Sequence, residues 1–307
     1  MKIVFLSPPV SVINGGIKHI FRMAETLIAL GREAVVFEQS GRRPSWFLST
    51  APVVGQEIFE PGADHLYVLP EDQPHILREF SRVPQRKVVY SQNQFYGAQG
   101  LGGREDYTAY GVSAVLCSSR SIYEHVRVRH PSLPAFVVPC AVDPTVFRPA
   151  PVKRDEIVFL PRKRAIEAAY LRDMFSFLHP EYDSWSWVSV DGCSEADVAR
   201  SMGEAKVFLS LSRLEGFGLT PLEAMAAGCV VAGFTGIGGR EYASETNGFW
   251  ADEDDFPACL EGLERAVSLD EAARQAYTAA CAPTLDAYTP RAFEKGVADA
   301  WRTILDF

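Results

Sequence analysis

Short apolar runs alternate with helix-periodic segments along the chain, and they do so in two successive series. Lys2–Ser7 is a short apolar run suited to a buried parallel strand. After a Pro-Pro and Asn-Gly-Gly loop, Ile17, Ile20, Phe21, Ala24, Leu27 and Ile28 recur at helical spacing, and Gly31 is placed to end that helix. Glu33–Phe37 is the next strand. Further strands are predicted at Leu66–Leu69, Lys87–Tyr90, Ala114–Leu116 and Ala135–Val138. Pro139–Pro151 contains four prolines and reads as an interdomain linker. The second series opens with a strand at Glu156–Leu160, a basic turn Pro161-Arg162-Lys163-Arg164 and a helix at Ala165–Leu178. Trp185–Val190, Val207–Leu211 and Cys229–Phe234 read as strands. Ser194–Met202 and Thr220–Ala227 read as helices, the second closed by Gly228. The remainder is predicted helical and ends in Thr289–Phe307, where Phe293, Val297, Trp301 and Ile304 form an apolar stripe. Such alternation implies parallel sheets covered by helices. The expected fold class is α/β, with two Rossmann-like domains, residues 1–147 and 148–307, facing each other across a cleft.

Charge separates the two series. Residues 1–149 carry 15 basic and 13 acidic side chains, net +2, whereas residues 150–307 carry 15 and 26, net −11. No basic surface dominates, so nucleic acid is not an expected partner. The six cysteines are scattered, with no C-x-x-C pair, which fits neither a zinc site nor a disulfide framework. No apolar run reaches the roughly 18–20 residues of a membrane span, and the apolar part of the N-terminus is too short for an export signal. A cytoplasmic location is therefore expected.

The most specific constellation is Glu215-Gly-Phe-Gly-Leu-Thr-Pro-Leu-Glu223, continued as Ala-Met-Ala-Ala-Gly228. It follows a buried strand, and ligands of open α/β sheets bind at the carboxyl ends of strands. Gly216 and Gly218 leave little bulk in the loop, so a ligand can approach the backbone. Thr220 reads as an N-cap and Pro221 as the first helical residue, and the unpaired N–H groups of that helix start suit a phosphate. Glu215 and Glu223 flank the phosphate position, and carboxylates accept hydrogen bonds well from sugar hydroxyls. Two readings of Glu223 stay open: a ligand group, or the partner of Thr220 in a capping box.

The nine residues from Glu215 to Glu223 match the E-x7-E element of retaining glycosyltransferases with the GT-B fold. The full stretch resembles glycosyltransferase family 4 (glycosyl transferases group 1). Gly15-Gly16 before an amphipathic helix, Val138–Asp143 with Phe147 and Pro149, and Gly238-Gly239-Arg240-Glu241 resemble further parts of that family. The resemblance implies a retaining, metal-independent enzyme without a cofactor, moving a sugar from a nucleotide sugar to a hydroxyl acceptor. The acceptor would be a glycan, a lipid-linked molecule or a small molecule bound by the first domain. Glu223 would hold the ribose hydroxyls and Glu215 the donor sugar. Backbone around Gly216, Phe217, Gly218, Leu219 and Thr220, with Gly15 and Gly16, would hold sugar or diphosphate. Arg162 and Lys163 would neutralise the leaving diphosphate. Glu215, Arg162 and Lys163 are thus the catalytic candidates. The closing helix is expected to pack back on the first domain.

Three departures from the family stand out. Arg162, Lys163 and Arg164 are adjacent rather than spaced, which leaves open the one that meets phosphate. The segment KVVYSQNQFY carries Gln92 and Asn93 where many relatives carry a His. Cys140-Ala141 replaces a frequent Asn-Gly. Lys18 and His19 are further candidates near the acceptor or sugar. Asp252-Glu253-Asp254 has the D-x-D form of a metal motif, yet it precedes a helix whose start favours acidic residues. Gly15-Gly16 with Glu38 lacks the G-x-G-x-x-G fingerprint of a dinucleotide site. Arg78, Arg82, Arg86 and Lys87 form a basic stretch that suits anionic lipid, and hence peripheral membrane contact, or else a solvated face. The six histidines show no metal-ligand spacing. The alternatives to a transferase are a non-catalytic nucleotide-sugar-binding protein of the same fold and, further off, an NAD(P) oxidoreductase.

Overall fold

The computed structural model describes residues 1–101 and 105–306. Phe307, the last residue of the predicted closing helix, lies outside them. The chain divides into two compact units. The first comprises Met1–Cys140 and Arg291–Phe307, and the second comprises Ala141–Pro290.

The first unit contains β1 (Lys2–Leu6), α1 (Gly15–Ala29), β2 (Glu33–Phe37), β3 (Val53–Val54), β4 (His65–Pro70), α2 (Pro74–Phe80), β5 (Arg86–Ser91), α3 (Gln94–Gly100), β6 (Val112–Cys117), α4 (Arg120–Arg129) and β7 (Ala135–Val137). The strands form one sheet in the order β3-β2-β1-β4-β5-β6-β7. The paired strands run parallel; Lys2 aligns with Glu33 on one side and with His65 on the other. Strands buried on both faces explain the continuous apolar runs, since Ile3, Val4, Phe5 and Leu66 are all covered. Gly31 takes a positive φ of 76° just after α1, the conformation its position predicts.

The second unit contains β8 (Arg154–Phe159), α5 (Ala165–Leu178), β9 (Ser186–Ser189), α6 (Glu195–Glu204), β10 (Ala205–Leu211), α7 (Leu219–Ala226), β11 (Val230–Phe234), β12 (Phe249–Ala251), α8 (Phe256–Val267), α9 (Glu271–Ala280) and α10 (Ala282–Asp286). Its five strands pair in the order β12-β11-β10-β8-β9, again parallel. The core between sheet and helices includes Leu171, Phe175, Leu209, Phe234 and Leu263.

The final helix α11 (Pro290–Asp306) belongs with the first unit from Arg291 onward. Trp301 meets Phe5 edge to face with centroids 6.0 Å apart, and Arg86 donates to the Ile304 carbonyl. The units divide at Cys140/Ala141, seven residues before the boundary expected from the prolines. Residues after Cys140 are tied into the second unit: the Val142 N–H donates to the Tyr288 carbonyl at 2.9 Å, and the Ala150 N–H to Gly203 at 3.0 Å.

Candidate functional site

In the second unit the strand order changes direction between β8 and β10. Loops leaving the carboxyl ends of two such strands diverge and open a crevice. The basic turn Arg162–Arg164 follows β8, and the loop from Ser212 to Gly218 follows β10. The Lys163 Nζ lies 3.0 Å from Glu215 Oε1, and an Arg162 guanidinium nitrogen lies 4.0 Å from the same oxygen. Lys163 Nζ also donates to the Arg213 and Leu214 carbonyls at 3.3 and 3.4 Å. Two cations and a carboxylate thus meet, each partly exposed.

Arg164 points elsewhere. Its side chain is 0% exposed and lies 4.4 Å over the Phe234 ring. It donates to Asp254 at 2.8 Å and to Glu253, and lies 3.6 Å from Glu167. The hydrogen bond from Arg164 holds the Asp254 carboxyl below its usual range. The D-x-D segment is therefore an anchor for Arg164. Its third member, Asp252, pairs with Arg240 at 3.2 Å, and the next residue, Asp255, caps α8. Among the described residues, no group of three or more His, Cys, Asp or Glu side chains is arranged to hold a metal ion.

The Glu215 loop is shaped by backbone strain and by tight packing. Leu214 holds φ at +49°, unusual for a residue with a branched side chain, immediately before Glu215. The Gly238-Gly239 turn packs directly on the loop: a Cβ at Gly238 would fall 2.5 Å from the Phe217 backbone. The Gly238 N–H donates to the Glu215 carbonyl at 3.2 Å. Phe217 packs against both Tyr242 and Tyr288, with centroids 5.6 and 5.1 Å away, the two tyrosine rings meet each other at 6.1 Å, and the Tyr242 hydroxyl donates to the Gly218 carbonyl. The sequence offered no local signal for either tyrosine.

Thr220 is not the N-cap. Helix α7 begins at Leu219, and its cap is Gly218 in the left-handed region with φ 82°, without a side-chain cap. Gly218 can take that conformation, so the helix starts earlier than the hydroxyl predicted. The Thr220–Glu223 capping box falls with this. Glu223 lies one turn into α7 and is 7% exposed.

The first-unit candidates divide. Asn14 caps α1 by accepting from the Gly16 N–H at 2.8 Å. The Gln92 side chain comes up against Gly16: a Cβ there would lie 2.0 Å from Gln92 Oε1 and would displace that amide, whereas a Cβ at Gly15 would meet nothing within 4 Å. Gln92 Nε2 donates to the Gly16 carbonyl at 3.2 Å. Asn93 is buried and caps α3 by accepting from the Phe95 N–H. His19 is buried against Phe293, with centroids 6.2 Å apart, and burial pushes its pKa down to about 3. Its neutral ring is a core group. Lys18 is also buried. Glu38 binds its own loop, accepting from the Ser40 and Arg42 N–H groups. The basic stretch is not one exposed face. Lys87 is buried and donates to the Val83 and Gln85 carbonyls, Arg86 binds α11, and only Arg78 and Arg82 are exposed. Among the described residues no helix is long and apolar enough to cross a membrane.

Comparison with known proteins follows the same division. Residues 190–281 match the family model of glycosyl transferases group 1. An alpha-1,6-glucosyltransferase of Actinobacillus pleuropneumoniae serotype 7 (strain AP76) is 26% identical over 261 residues, 79% of this chain and 76% of that protein. The solved structure of Anabaena Alr3699/HepE in complex with UDP and glucose aligns with a TM-score of 0.73 at 13% identity, covering 99% of this chain and 100% of that one. Sucrose-phosphate synthase from Thermosynechococcus elongatus aligns with a TM-score of 0.69 at 15% identity over 100% of both chains. The fold is accordingly the α/β arrangement with two parallel sheets of GT-B glycosyltransferases. With the group 1 match on its second unit and a glucosyltransferase relative along most of its length, the chain is a glycosyltransferase.

Proposed function

We propose that the chain is a retaining, metal-independent transferase of family 4 type that takes a sugar from a nucleoside diphosphate donor held by the second unit. The observation that carries this reading is the meeting of Lys163, Arg162 and Glu215 at the change of strand direction, beside the start of α7, which no side chain caps. The diphosphate lies at that helix start, with its charge offset by the helix dipole and the two cations. Charge on the departing phosphate grows in the transition state, and fixed cations stabilise it there. They do the work that a divalent metal performs in other phosphate sites, so none is needed. Glu223 accepts from the ribose hydroxyls and Glu215 from hydroxyls of the donor sugar.

A UDP-hexose is the favoured donor. HepE was solved with UDP and glucose, and the Actinobacillus relative is named for an alpha linkage. An alpha-linked donor gives an alpha product when configuration is retained. In this reading the acceptor hydroxyl attacks from the face the diphosphate leaves, and a phosphate oxygen takes its proton. No protein nucleophile is required. The first unit supplies the acceptor side through Gln92 and the Gly15-Gly16 turn.

The test is transfer from UDP-glucose in the presence of EDTA, with the anomeric configuration of the product read by NMR. An alpha product formed without metal supports the reading. A beta product, or turnover abolished by EDTA and restored by a divalent cation, overturns it.

A further inference from the structure

A second buried cluster lies in the first unit, apart from the donor residues. The first sheet changes direction between β1 and β4. Glu71 follows β4 directly, Gln92 and Asn93 follow β5, and Gly15-Gly16 open α1 after β1. Glu71 is 5% exposed. Its Oε1 accepts two backbone N–H groups, from Gln92 at 2.8 Å and from Asn93 at 3.0 Å. Its own backbone is hemmed in: a Cβ at Gly100, at the end of α3, would fall 1.9 Å from the Glu71 carbonyl oxygen. Burial pushes the carboxyl up to about 8, so at neutral pH it is the uncharged acid.

A buried carboxyl group costs desolvation that an apolar residue would not. What the carboxyl accomplishes here is local. With its N–H held, Gln92 lays its amide across the start of α1, donating to the Gly16 carbonyl at 3.2 Å. Gly16 leaves room for that amide, since a Cβ there would lie 2.0 Å from Gln92 Oε1 and push it aside. The Gln92 amide keeps a second N–H and carbonyl lone pairs, a pairing suited to a hydroxyl group. It stands at the carboxyl edge of the sheet, at the crevice where open α/β sheets bind ligands.

We propose that Glu71 is a positioning residue of the transfer reaction, holding the Gln92 and Asn93 N–H groups so that the Gln92 amide is fixed for the acceptor hydroxyl. This rests on the reading of the chain as a transferase with Gln92 on its acceptor side. Supporting groups of this kind act by holding a reacting group to within a fraction of an ångström.

The experiment is a double-mutant cycle on sugar transfer from UDP-glucose to methyl α-glucoside. UDP affinity and thermal midpoint are measured alongside. Gln92→Ala is expected to lower kcat by about 10-fold or more with UDP affinity within about twofold. Glu71→Asp, one methylene shorter, is expected to lower kcat by about fivefold or more. Glu71→Gln keeps an oxygen for both N–H groups and mimics the uncharged acid, so it retains kcat within about twofold. The combined Glu71→Asp/Gln92→Ala variant is expected to be no slower than Gln92→Ala alone, because Glu71 acts through Gln92. Additive losses in the double variant overturn the proposal, as does a folded Glu71→Gln as slow as Gln92→Ala. Should Glu71→Asp fail to fold, the Glu71→Gln outcome alone decides. A Gln92→Ala variant with normal kcat overturns instead the acceptor-side reading beneath it, and a wild-type protein without transfer overturns both.

Discussion

Lys163 Nζ and Glu215 Oε1 lie 3.0 Å apart, joining the loop after β8 to the loop after β10. On the proposed reading, a diphosphate at this site competes with Glu215 for Lys163, and hydroxyls of the donor sugar take up the carboxylate in return. Lys163→Ala is expected to lower kcat for sugar transfer by about 100-fold, the scale of losing one fixed group that stabilises transition-state charge. Stability should fall by no more than about 1 kcal/mol, since the pair is partly exposed. Steady-state kinetics and a melting curve separate the two effects.

Glu223→Ala is expected to weaken UDP binding about 10-fold or more. Helix α7 is capped by Gly218, so the variant removes no cap. A loss of about 0.5–2 kcal/mol in stability with UDP affinity unchanged, measured by calorimetry, is the signature of a capping residue and would contradict this assignment.

Arg164 gives the contrasting prediction. It stands next to Lys163 in sequence, yet its guanidinium is fully buried over Phe234 and tied to Glu253 and Asp254. Arg164→Ala is expected to destabilise the protein by about 2–4 kcal/mol, chiefly through the lost packing of the buried side chain over Phe234. UDP affinity of the folded fraction should stay within about twofold. Denaturant melts and binding on the same samples test this.

Stability should depend on pH through buried groups of opposite sign, Glu71 on one side and His19 on the other, with His130 held down to about 4 by burial and acting as His19 does. His19 is held down to about 3 by burial, so the unfolded chain binds a proton there that the folded chain does not between pH 3 and 6.5. Stability from this group is present above 6.5 and is lost on acidification through that window. Glu71 is raised to about 8, so the folded chain keeps a proton that the unfolded chain releases above 4.5. Its contribution is present below 4.5 and is lost as pH rises to 8. Above about pH 7 the unfolded histidines have lost most of their protons, and Glu71 then acts with little opposition. Wild-type stability is expected to fall there by about 1 kcal/mol for each pH unit, and Glu71→Gln should flatten the fall. Urea melts at pH 6.5, 7.25 and 8 provide the comparison.

Much of this architecture is legible in local sequence because parallel strands bury both faces. Lys2–Leu6 and Val207–Leu211 announce themselves as apolar runs, and Gly31 and Gly228 mark helix ends through one backbone angle. The Glu215–Glu223 loop is visible for the same reason: its glycines, its proline and its carboxylates act within nine residues. The rest depends on register and direction. Adjacency alone cannot tell Lys163 from Arg164, because successive residues of a turn point to different sides, one to Glu215 and one under Phe234. Thr220 carries the chemistry of a cap, but Gly218 reaches the left-handed region first. Tyr242 and Tyr288 brace Phe217 from 25 and 71 positions away. Glu71 meets Gln92 only because β4 and β5 are neighbours in the sheet. Contacts of that range leave no pattern in a single sequence.

The central claim is that a nucleoside diphosphate is held on the second unit by Lys163, Arg162 and Glu223 without a metal. Isothermal titration of wild type, Lys163→Ala and Glu223→Ala with UDP in EDTA, and with GDP, ADP and NAD for comparison, tests it most directly. The account predicts that UDP binds the wild-type protein in EDTA and that each variant weakens it about 10-fold or more. UDP affinity equal in all three proteins, or binding of NAD alone, would contradict it.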